Sequence, residues 1–145
     1  MSACLLDTNV LLYLANPAAR EHAAAKVALA RMLSAADEIV VSLQVLLEFW
    51  SVATRPAVSN GLGWSVPHTR AVIEEIRARF PVLDEPPEVL DLWLELVVAH
   101  AVKGKRIHDA HLLATMKANG VTRLLTFNDS DFPSVPGLSI LTPDF

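Results

Sequence analysis

Apolar residues alternate along the chain between short unbroken runs and helically spaced positions. Ala3–Leu6 is apolar throughout and ends at Asp7, the pattern of a strand buried on both faces. Asn9 is expected to cap a short helix over residues 10–14, stopped by Asn16-Pro17. An alanine-rich helix follows over residues 18–35, with Lys26 and Arg31 on its outer face. After the polar turn Asp37-Glu38, residues 39–41 form a second buried strand. Ser42 then caps a helix reaching about Thr54, ended by Arg55-Pro56. Asn60-Gly61-Leu62-Gly63 is a loop. Ser65 caps the next helix, with Pro67 in its first turn and its end near Arg79. Residues 81–83 give a short edge strand. Glu85-Pro86-Pro87 opens a helix that reaches Val102 and halts at Gly104. A helix over residues 108–118 closes at Asn119-Gly120 as a left-handed cap. Residues 121–127 and 138–141 are the last strands.

Short apolar strands alternating with helices specify a parallel sheet covered on both faces. The fold class is therefore α/β, a three-layer α/β/α sandwich around a mostly parallel sheet of four or five strands. No repeat or linker interrupts the pattern, so residues 1–145 are expected to form a single domain. That length supports one good core, and 52% hydrophobic against 19% charged residues excludes intrinsic disorder. The apolar share leaves some surface to be covered by another chain, with Trp50, Trp64 and Trp93 divided between core and interface. Twelve basic residues against sixteen acidic ones give a net charge of -4, which excludes a general basic coat for nucleic acid. Such a partner needs a local basic patch or a metal.

Cys4 has no partner for a disulfide and reads as a small core residue, which places the chain inside the cell. The opening Met-Ser-Ala-Cys-Leu-Leu-Asp lacks a basic region and gives no sign of a signal peptide. No stretch reaches the roughly 18 uncharged residues of a membrane span.

Ligands of open parallel sheets bind outside the carboxyl ends of the strands, and acids fall there. Asp7 follows the first strand, and Asn128, Asp129 and Asp131 follow the strand that passes Thr126. Glu48 lies two turns into the helix after the second strand, and Asp109 opens the helix that feeds the Thr126 strand. Most of them also have a plain structural reading: Asp7 and Asp109 as caps, Asp129 and Asp131 as solvated loop acids. Glu48 differs. Val45, Leu46, Leu47, Phe49, Trp50 and Val52 surround it, and no Lys or Arg stands three or four residues away. A carboxylate buried there costs several kcal/mol unless a positive charge from elsewhere in the fold, or a bound cation, answers it.

Gathered carboxylates call for a hard ion, and all-oxygen ligands suit Mg²⁺ or Mn²⁺ rather than zinc. His108 and His111 lack the further ligands that zinc spacing requires and read as partly buried or surface side chains. Lys103, Lys105 and Arg106 crowd ahead of Asp109 around Gly104. They form either a solvated helix terminus or a patch that steers phosphates, with Arg55 lining the same groove.

Four blocks together resemble a known family: Leu5-Leu6-Asp7-Thr8-Asn9, then Val45-Leu46-Leu47-Glu48-Phe49. The others are His108-Asp109-Ala110-His111-Leu112-Leu113-Ala114 and Leu125-Thr126-Phe127-Asn128-Asp129-Ser130-Asp131-Phe132. In this order and spacing they resemble the PIN domain, and within it the VapC-type toxins of type II toxin–antitoxin systems. The resemblance spans residues 3 to about 142. It implies an α/β/α sandwich and a Mg²⁺- or Mn²⁺-dependent cytoplasmic endoribonuclease. It also implies inhibition by a cognate antitoxin, while the apolar bias fits a homodimer.

Carried over by position, Asp7, Glu48 and Asp109 match the family's regular acids. Asp7 and Asp109 are then the metal ligands, joined by Glu48, which also holds the attacking water. The fourth position is Asn128 after Thr126, a departure from the fully acidic pattern that Asp131 would make good. Thr8 and Thr126 suit hydrogen bonds that orient carboxylates, and Asn9 ties the first turn to the site. Two other readings stay open. A phosphatase with an aspartyl nucleophile would want an acid where Asn9 stands, and an inactive RNA-binding module is suggested by Asn128 alone.

Overall fold

The computed structural model describes residues 2–144. Ala3–Leu6 forms β1, and Cys4, Leu5 and Leu6 are wholly buried in it, as a run between two helical layers must be. β1 lies between β2 (Glu38–Ser42) and β4 (Arg123–Leu125), with β3 (Val82–Leu83) and β5 (Ser139–Leu141) at the edges. The sheet order is β3-β2-β1-β4-β5 and every pairing is parallel. Leu5 stands in register with Val40 on one side and Leu124 on the other. The chain builds outward through β2 and β3, then returns to add β4 and β5. Strand order therefore reverses between β1 and β4, and a crevice opens beyond their carboxyl ends.

Right-handed crossovers put the helices of the first two connections on one face and those of the third on the other. One layer holds α1 (Thr8–Ala15), α2 (His22–Ser34), α3 (Leu43–Thr54) and α4 (Val66–Arg79). The other holds α5 (Val89–Ala99) and α6 (Ile107–Ala118). Because α1 and α3 leave strand ends directly and α6 returns to the start of β4, all three turn their first turns toward the carboxyl edge. Among the described residues no helix is long and apolar enough to cross a membrane.

Several boundaries differ from the sequence reading. Asp7, not Asn9, caps the first helix: its Oδ1 accepts from the Thr8 N–H at 2.7 Å, so the helix begins two residues early. Turns occupy residues 17–21, and α2 begins only at His22. α5 stops at Ala99, short of Val102, because Ala101 adopts a left-handed backbone with φ of 49°. Asp109 is no cap; α6 starts at Ile107 and carries it inside the first turn. Gly120, with φ of 67°, supplies the left-handed residue after α6. Trp50, Trp64 and Trp93 are all half-buried, and Trp64 and Trp93 pack against the core.

A candidate acid-lined active site

Asp7 is fixed by three elements at once. Its backbone N–H donates to the Leu125 carbonyl at 2.9 Å, which ties the end of β1 to the end of β4. Its Oδ1 caps α1, and its Oδ2 accepts from the Thr126 hydroxyl at 2.8 Å. Asn9 bridges the same corner: its amide nitrogen donates to Thr126 Oγ1 at 3.2 Å, and its Oδ1 accepts from the Phe127 N–H at 3.1 Å. The Asn128 N–H donates to Thr126 Oγ1 at 3.0 Å, while its side chain is exposed. Thr126, fully buried, is thus the hub on which Asp7, Asn9 and the following loop are hung.

Glu48 enters from α3. It is half-buried rather than enclosed, because its neighbour Leu47 is 61% exposed and that side of the helix is open. Neutral donors hold it: Thr8 Oγ1 at 2.9 Å on Oε2, and Gln44 Nε2 at 3.0 Å on Oε1. The positive charge demanded by the sequence is not supplied by the fold; among the described residues no Lys or Arg pairs with Asp7, Glu48 or Asp109.

Electrostatics show that the acids share one neighbourhood. Burial, and then the charges of Glu48 and Asp131, push the Asp7 carboxyl above its ordinary value, against the pull of its hydrogen bonds from Thr126 and Thr8. Burial raises Asp109 to about 6, helped by Asp7, Asp131 and Glu48 and opposed by Arg106. Asp131 forms an exposed ion pair with Arg106 at 3.2 Å, and such pairs contribute at most about 1 kcal/mol. Asp129 is solvent-exposed. Lys103 and Lys105 are exposed beside Arg106, and Lys103, Arg106, Asp131 and Phe132 border a hollow of about 490 Å³. Arg55 ends α3 with its side chain exposed, and among the described residues it forms no salt bridge with the acids.

Among the described residues no three acidic, histidine or cysteine side chains are drawn tightly enough to enclose a cation. The donor set nevertheless fits a hard divalent ion, being all carboxylate oxygen, mutually repelling and without a permanent basic partner. Gln44 was missed by the sequence reading. Its position four residues before Glu48 is the signal, since side chains at that spacing meet on a helix.

The PIN domain pattern matches residues 4–138. Ribonuclease VapC24 of Mycobacterium tuberculosis is 30% identical over 129 residues, covering 88% of this chain and 87% of that protein. The chain belongs to the PIN-domain family. Among solved structures it is similar to VapBC2 from Rickettsia felis bound to a promoter DNA fragment, with a TM-score of 0.69 at 17% identity over 97% and 98% of the two chains. It is also similar to VapC20 of Mycobacterium tuberculosis, a toxin that cleaves the sarcin-ricin loop, with a TM-score of 0.62 at 21% identity over 83% and 86%.

Proposed function

We propose that this protein is a Mg²⁺- or Mn²⁺-dependent endoribonuclease of the cytoplasm, acting as the toxin of a toxin–antitoxin pair. The observation that carries the reading is the set of mutually repelling acids at the crevice between β1 and β4, of which Asp7, Glu48 and Asp109 have no salt-bridged Lys or Arg among the described residues, in a chain whose 30%-identical relative is a VapC ribonuclease. Asp7 and Asp109 would hold the ion, with Glu48 beside them. A hard divalent cation bound there supplies positive charge against the scissile phosphate and makes water more acidic.

The chain's own groups do the positioning. Thr126 and Thr8 donate to single oxygens of Asp7 and Glu48, which leaves further lone pairs on each carboxylate. Glu48 would be the acid that orients the attacking water and takes its proton. Asp131 adds negative charge on the loop where Asn128 adds none, once its surface pair with Arg106 opens. Lys103, Lys105 and Arg106 lie on the side from which an RNA backbone would approach, and Arg55 is the weakest member of that set by position.

The similar solved structures from Rickettsia felis and Salmonella typhimurium are VapBC assemblies, which supports an antitoxin partner whose basic side chain would answer the same acids. A second copy of the chain is the expected cover for the apolar stripe of α5. There Leu90, Leu94 and Val98 are 66%, 51% and 73% exposed at four-residue spacing.

The test is cleavage of total RNA by purified protein, with and without Mg²⁺, beside Asp7→Asn. Cleavage that needs the ion and disappears in the variant, by a factor of about 10³, is expected. Cleavage that persists in Asp7→Asn would refute the assignment.

A further inference from the structure

Gln44 is a buried polar side chain, 8% exposed, that core packing does not account for. Its amide nitrogen donates to Glu48 Oε1 at 3.0 Å and to the His108 carbonyl at 2.8 Å. Its carbonyl oxygen accepts from His111 Nδ1. The other ring nitrogen, His111 Nε2, stands 2.8 Å from Glu85 Oε1 at the rim of a cavity of about 420 Å³ that Pro86, Trp93 and Ile107 also line. Turning the amide over would set its oxygen against the Glu48 carboxylate and the His108 carbonyl, so one orientation is dictated.

The bridge joins the two helical layers. Gln44 belongs to α3, which carries Glu48; His108 and His111 belong to α6 and flank Asp109. With Thr8 of α1 on Oε2, Glu48 is pinned on both oxygens by residues from different helices. An amide does this without positive charge. An arginine in its place would bind Glu48 more strongly but would also neutralise it.

We propose that Gln44, buttressed by His111 and Glu85, is a positioning residue that holds the Glu48 carboxylate in register with Asp109 across the two layers. Its kinetic consequence rests on the ribonuclease reading; its structural consequence does not. Gln44→Met keeps the length of the side chain and removes its hydrogen bonds. It is expected to lower kcat on an oligoribonucleotide about tenfold, or about 1.4 kcal/mol, with KM within twofold of wild type. Because Gln44 acts through Glu48, the double variant Gln44→Met/Glu48→Gln should cleave no more slowly than Glu48→Gln alone. His111→Phe removes the buttress and leaves Gln44 in place, and a smaller loss of about threefold is expected.

Unchanged kcat in Gln44→Met, or losses that multiply in the double variant, overturns the proposal. The structural arm needs no activity: the side-chain amide resonances of Gln44 should shift on Glu48→Gln and on His111→Phe, and resonances unmoved by both overturn the bridge. A wild-type protein that cleaves no RNA while those resonances move removes the ribonuclease reading and leaves the positioning assignment standing.

Discussion

Asp109→Asn should make the metal-free protein more stable at neutral pH while removing its activity. The folded carboxyl is raised from 3.8 to about 6, chiefly by burial and then by Asp7 and Asp131. The folded state therefore holds its proton more tightly than the unfolded state. Below about pH 4 the group costs nothing; as pH climbs through 6 the fold must carry a disfavoured charge, and stability is lost over that window. A rise from 3.8 to about 6 corresponds to about 3 kcal/mol at full strength. Solvent screening of a half-buried group, together with the favourable place of an anion in the first turn of α6, brings this to about 1 kcal/mol.

Asparagine has nearly the same shape and no charge, so thermal melts in EDTA should show the variant about 2–4 °C above wild type at pH 7. The two should coincide near pH 4. Adding Mg²⁺ or Mn²⁺ should raise the wild type and close the gap, since an ion that binds only the folded state stabilises it by mass action. A variant that is no more stable at pH 7, or a difference that does not change between pH 4 and pH 7, would show that burial and the neighbouring acids do not disfavour the Asp109 charge as argued. Asp7→Asn is the poorer probe of this point, because it also alters the cap on α1, itself a contribution of about 1 kcal/mol.

Three further outcomes are expected. Thr126→Val removes the buried hydroxyl that serves Asp7, Asn9 and the Asn128 N–H; it should cost about 1–3 kcal/mol in urea unfolding and lower kcat more than it changes KM. Replacing Lys103, Lys105 and Arg106 together by Ala should raise KM for RNA severalfold and flatten its salt dependence, and unchanged kinetics would reject the steering patch. Leu94→Glu places a charge in the apolar stripe of α5; sedimentation should show a dimer for wild type and a monomer for the variant, and a wild-type monomer would reject the proposed cover.

The layer architecture was legible because the chain signals it locally: apolar runs for β1 and β2, serine caps before α3 and α4, glycine after α6. The caps at Ser42 and Ser65 are both formed as side-chain hydrogen bonds. What the sequence hid was pairing across distance. Asp7 looked like either a cap or a site acid, and it is both at once, one oxygen for each task. That dual use displaced Asn9 from the cap and left it free to bridge to Thr126 and Phe127. Glu48 looked enclosed because its sequence neighbours are apolar, yet exposure of Leu47 shows that a helix one residue wide in pattern can be open on one side. Gln44 is uncharged and not singled out by its own segment, and a partner 67 residues away, His111, is what gives it a role.

Among the described residues Asp7, Glu48 and Asp109 are held without a salt-bridged Lys or Arg, and the manner of holding suggests why. Thr8, Asn9, Gln44 and Thr126 satisfy the carboxylates with neutral donors, each contributing about 1 kcal/mol. A lysine or arginine among them would stabilise the metal-free fold by more. It would also occupy the position that a divalent ion, or the basic side chain of an inhibitor, has to take. Burial first, and then the charges of the neighbouring acids, raise Asp7 and Asp109, and a bound cation would relieve that same penalty. Arg106 agrees: it pairs with Asp131 in solvent-exposed surroundings where the contact is weak enough to yield. Stability ceded at the crevice is recovered in the sheet beneath it, where Leu5, Leu6, Leu124 and Leu125 are wholly buried directly behind the acids.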